Sequence, residues 1–199
     1  MTELLPTAVL RPAAPSGEAF AAPADRPGGA LALPAPMVAT VGDIAGLRPR
    51  RTRGDGGEVP GADVDDVDAL PHAEWSAVAA WLKAGKAVTT RRARLADVAA
   101  FVRWLAVEAP SVELLAVTED HLTHYRDTIA TGTARAGLAR PGTPLAASTV
   151  ARRLSSLSSL YGYALRRRLI AVNPADPVER PEVSTVGTTP ARTVEEATA

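Results

Sequence analysis

Ala147-Ser148-Thr149-Val150-Ala151-Arg152-Arg153-Leu154-Ser155-Ser156-Leu157-Ser158-Ser159-Leu160-Tyr161-Gly162-Tyr163-Ala164 decides how this chain reads. At about 100° per residue, Val150, Leu154, Leu157, Tyr161 and Ala164 gather on one side of a helix. Arg152, Ser156, Ser159, Tyr163 and Arg166 gather on the other. A merely solvated face would be dominated by Glu and Lys. Small serines instead let a backbone approach another surface, and arginine suits phosphate and guanine. The stripe therefore points to nucleic acid, against the plainer reading of an ordinary polar helix face.

Charge and composition narrow the partner. The 22 basic and 22 acidic residues of the 199-residue chain cancel, but unevenly. Residues 1–70 carry six Arg against ten acids, net −4, whereas residues 86–180 carry fourteen Lys or Arg against eight acids, net +6. The second segment is the one suited to an anionic partner. With no cysteine, disulfides and thiolate zinc sites are excluded, in keeping with a reducing cytosol. No apolar run reaches membrane-spanning length, and Met1-Thr2-Glu3-Leu4-Leu5-Pro6 lacks the basic region and apolar core of a signal peptide. The expectation is a soluble, cytoplasmic protein without membrane, small-molecule or cofactor partners.

Working outward, residues 1–69 are dense in Ala, Pro, Gly and Asp, without sustained periodicity, and read as a disordered tail. Within it, the basic cluster 48–53 and the acidic run Asp63, Asp65, Asp66 and Asp68 read as solvated linker. From Leu70 the pattern turns helical. Pro71 suits a first helical position ahead of Trp75, Val78, Ala79 and Leu82, and Gly85 stops that helix. A second helix, capped by Thr89 or Thr90, presents Leu95, Val98, Phe101, Val102 and Leu105. Thr118 caps a third, carrying Leu122, Tyr125 and Ile129 and ending at Gly132. A Gly/Pro/Thr-rich loop leads to the helix quoted above, which closes near Arg168. The three tryptophans read as packing residues. The expected fold is all-α, a compact four-helix domain over residues 70–181, with residues 182–199 as a linker.

The order of these segments resembles a known family. Thr89-Thr90-Arg91 after a Gly-Lys turn, Phe101-Val102-Arg103-Trp104-Leu105, Val117-Thr118, Ser148 to Ala164, Asn173-Pro174-Ala175 and Arg180-Pro181 follow one another. Together they look like the N-terminal core-binding domain of tyrosine recombinases, the phage-integrase family, over about Ala73 to Pro181. The resemblance implies a four-helix SAM-like bundle that grips a recombination site together with a separate catalytic domain. It assigns DNA contact to the second and fourth helices. Thr89, Thr90, Arg91 and Arg92 would meet a phosphate at a helix N-terminus. Ser148, Thr149, Arg152, Arg153, Ser156, Ser159 and Arg166 would line the other contact helix. Arg94 departs from the family, which often places an aromatic there. It would either add a phosphate contact or loosen the core.

The resemblance places the chemistry in a domain whose motifs do not follow here, so the chain is expected to hold DNA in integration or recombination, not to cut it. His121-Leu122-Thr123-His124 lacks the arginine of the family's His-x-x-Arg box, and its two histidines have no third ligand for a metal. Tyr125, Tyr161 and Tyr163 have no basic constellation around them, and Gly54-Asp55-Gly56-Gly57 lacks a P-loop lysine. Two alternatives remain open: a helical protein-interaction module that regulates recombinase assembly through a recombinase subunit, and a truncated remnant of a longer gene.

Overall fold

The computed structural model describes residues 39–181. In order, these form α1 (Val41–Ala45), a two-residue strand pair β1 (Pro49–Arg50) and β2 (Val59–Pro60), then α2 (Gly61–Asp68), α3 (His72–Lys83) and α4 (Val88–Glu108). A 3-10 turn at Leu114–Ala116, α5 (Glu119–Thr131) and α6 (Ala147–Arg166) follow. The fold is mostly helical, and none of its helices is long and apolar enough to cross a membrane among the described residues.

The four helices expected from periodicity are α3 to α6. Their predicted apolar faces form the core: Val78, Leu82, Leu95, Val98, Phe101, Leu122, Tyr125, Ile129, Val150, Leu154, Leu157 and Tyr161 are all buried. Trp81 and Trp104 are buried with them, and Trp75 is half-buried. Trp104, Phe101 and Tyr125 form one aromatic cluster with centroid spacings of 4.9 to 5.8 Å. Gly137, at φ 79°, lies in the loop before α6, where a Cβ would collide with the Ala100 carbonyl. That close approach lets the loop lie directly on α4.

Helix ends differ from expectation in detail. Thr118 does stand at the N-cap of α5, where His121 Nδ1 accepts from the Thr118 amide at 3.1 Å and lies 2.7 Å from its hydroxyl. Gly132 ends α5 in the left-handed conformation. Pro71, by contrast, stands at the N-cap position of α3, one residue before the helix. Thr89 and Thr90 cap nothing: α4 begins at Val88, with Ala87 at the cap position.

The larger correction concerns residues 39–69, expected to be disordered. Val41, Leu47, Val59, Val64 and Val67 from this segment are buried in the same core. The acidic run is its fastening. Arg103 donates to Asp63 at 2.9 Å and also to Asp66. Asp68 Oδ1 accepts from the Val41 amide and from Trp75 Nε1, each at 2.8 Å. Arg51 pairs with Asp65 at 2.6 Å. Charges that look mutually repulsive along the chain are thus answered by arginines and N–H donors supplied from other segments. Residues 1–38 and 182–199 lie outside the described residues.

Candidate nucleic-acid interface

Two helices position nearly all the candidate side chains. Asp97 of α4 meets Arg152 of α6, while Arg94, one turn earlier on α4, meets Ser159, two turns later on α6. The helices therefore run in opposite senses, with a polar seam between them.

The centre of that seam is Asp97, only 1% exposed. Arg152 Nη1 donates to both of its carboxylate oxygens at 2.6 Å, and Ser156 Oγ donates to Oδ2 at 2.7 Å. A carboxylate this deep is tolerable only when paired and hydrogen-bonded. Further along, Ser159 Oγ accepts from Trp81 Nε1 at 3.1 Å and from Arg94 Nη2 at 3.3 Å. The Arg94 guanidinium also lies 4.8 Å from the Trp81 ring centroid. Arg94 therefore neither dangles nor loosens the core; it is stacked in place.

This changes the reading of the serine stripe. Serines do allow close approach, but the surface approached includes α4 and α3 of the same chain. Arg152, Ser156 and Ser159 are engaged internally, and Arg153 is too. Its Nη1 donates to the Tyr125 hydroxyl at 3.1 Å and to the Gly137 carbonyl at 2.9 Å. Burial pushes the Tyr125 hydroxyl above its ordinary range, an effect the Arg153 charge opposes. Arg91 turns back as well, donating to the Gly85 carbonyl at 2.8 Å and bracing the turn into α4.

Seam and helix ends leave one groove open. It has a volume of about 360 Å³, walled by Thr89, Thr90 and Arg94 from α4 and by Ser155, Ser156 and Ser159 from α6. Four of the candidate residues (Thr89, Thr90, Ser156 and Ser159) are brought together here. Ser148 and Thr149 sit at the N-terminal end of α6, and Arg166 in its last turn; none of the three lines the groove, nor do Arg91, Arg92, Arg152 or Arg153. Arg92, in the first turns of α4, is exposed and free of ion pairs among the described residues. The α4 N-terminus has no side-chain cap and no acid in its first turn, so its positive end is unneutralised.

Sequence reasoning missed Asp97 and Ser155. For Asp97 a signal existed, since Asp97, Phe101 and Trp104 follow the i, i+4, i+7 spacing of a buried stripe. A carboxylate on such a stripe requires a cation across the interface. The paired histidines have local roles: His121 is part of the α5 cap, and His124 rests on Trp104 with centroids 5.5 Å apart. Comparison of the chain with family models, with curated proteins and with solved structures finds no match in any of the three.

Proposed function

We propose that this chain is a DNA-binding module of the kind found in tyrosine recombinases, with α3 to α6 as the four-helix SAM-like bundle. The observation that carries the reading is the groove. The two helices to which the resemblance assigns DNA contact are the two that wall it, and their hydroxyl side chains face one another across it. No acidic residue lines the groove. Asp97, the one carboxylate in the seam, is already neutralised by Arg152. A phosphate entering the groove would meet threonine and serine hydroxyls, the Arg94 guanidinium and the open end of α4. Arg92 stands exposed on the same first turns.

The module holds DNA and leaves strand chemistry to another domain. Affinity then rests mainly on phosphates, and sequence preference on the few side chains that reach base edges. Fluorescence anisotropy of the full chain with a mixed-sequence duplex, titrated at increasing salt, tests this. Binding should weaken linearly in log salt. A chain that binds no duplex even at low salt would overturn the reading. Arg152 and Arg153 are poor probes because their loss disturbs the fold; Arg92 is the informative one.

A further inference from the structure

A second feature lies away from that groove, around the 3-10 turn. On one side of the turn, α3 and α4 enclose a groove of about 510 Å³ with an apolar floor that includes Leu70, Val102 and Leu105. Three carboxylates, Asp66, Glu74 and Glu113, line it, and no Lys, Arg or His does. Asp66 is answered by Arg103, but Glu113 is exposed and has no ion pair among the described residues. Glu74 is only 3% exposed and accepts from the Leu115 amide at 2.9 Å.

On the other side of the turn, the chain leaves α6 through a sharp corner of the opposite character. The Leu169 amide donates to the Ala164 carbonyl at 3.0 Å and the Arg168 amide to Leu165 at 2.9 Å, the paired bonds of a Schellman ending. Glycine is the usual residue at the left-handed position of that ending, yet here it is Arg168, at φ 58°. Beyond it, Leu169 is 47% and Val172 72% exposed. Arg166, Arg167 and Arg168 make no ion pair among the described residues. The corner is thus cationic and apolar, where the groove is anionic and apolar.

We infer that the occupant of this groove is the arginine-bearing corner of a second copy of the chain. Charge complementarity selects it: each copy offers both an apolar cleft edged by the exposed, unpaired carboxylate of Glu113 and an apolar tip beside arginines that make no ion pair among the described residues. Adjacency supports closure. Leu114 lines the groove and its neighbour Leu115 lines the small cleft behind Leu169 and Val172. Corner and groove therefore lie side by side, and a two-fold pairing seats both corners at once rather than propagating a filament.

Sedimentation equilibrium of the full chain, from micromolar into the hundreds of micromolar and at two salt concentrations, tests the inference. A reversible monomer–dimer equilibrium that weakens with salt is expected. Arg168→Gly relieves the backbone conformation, so it keeps the fold while weakening self-association about tenfold, and Val172→Asp does at least as much. Arg168→Glu abolishes the dimer, and Glu113→Arg added to that chain restores it. A chain that stays monomeric throughout, or a dimer indifferent to Arg168→Gly and Val172→Asp, would overturn the inference.

Discussion

The middle and the end of α6 are built from similar residues and meet opposite fates. Arg152, Ser156 and Ser159 bond inward, to Asp97, Trp81 and Arg94. One turn beyond the helix, Arg168, Leu169 and Val172 turn outward with nothing to answer them among the described residues. The difference lies in what faces each segment. The middle is opposed by a buried carboxylate and an indole N–H, which fix it in place. Opposite the end there is only a short turn, and the backbone itself adopts a strained conformation that projects the charge.

The sharpest way to break this contrast is Arg152→Ala. It leaves the Asp97 carboxylate buried with Ser156 as its only side-chain partner, and should destabilise the fold by about 3 kcal/mol in urea denaturation. Replacing Asp97 by Leu in the same chain should recover much of that loss, because an unpaired buried charge is worse than none. Arg168→Gly should act in the other direction and more weakly. Removing the left-handed arginine should raise stability by up to about 1 kcal/mol, read as a later urea midpoint.

The smallest effect is expected at Glu74. Burial raises its carboxyl above the ordinary range, against backbone N–H donors from Leu115 and Leu114 that lower it. With the folded value above the unfolded one, the native state binds the extra proton, so this group's contribution to stability falls as pH rises through that window. Glu74→Gln should therefore melt higher than the parent at neutral pH. The difference should vanish once pH drops below the unfolded value. A melting difference independent of pH would mean the carboxyl is not strained.

Much of the helical core was legible in the chain. The apolar faces of α3, α5 and α6 and the ends of α5 follow from local rules that act within a few residues, and the residues buried there are the ones those rules select. Three things were not legible, each because its cause lies far along the chain or leaves no local mark. The segment from Val41 to Val67 contributes core residues too sparsely spaced to show periodicity, and two of its aspartates, Asp63 and Asp66, are held by Arg103, some forty residues on. The direction of the serine stripe depends on Asp97, 55 residues before Arg152. The start of α4 at Val88 has no cap to announce it. The candidate site was therefore half legible. Thr89, Thr90, Ser156 and Ser159 do share one groove, whereas the arginines expected to serve it are mostly committed to the fold.

Arg92→Ala, assayed for duplex DNA binding across salt and for urea stability in parallel, tests the division between fold and function most directly. With one fewer phosphate neutralised, the slope of log affinity against log salt should shrink by about 0.9 while the urea midpoint stays unchanged. An unchanged slope at an unchanged midpoint would contradict a DNA contact at the first turns of α4, where Arg92 stands exposed.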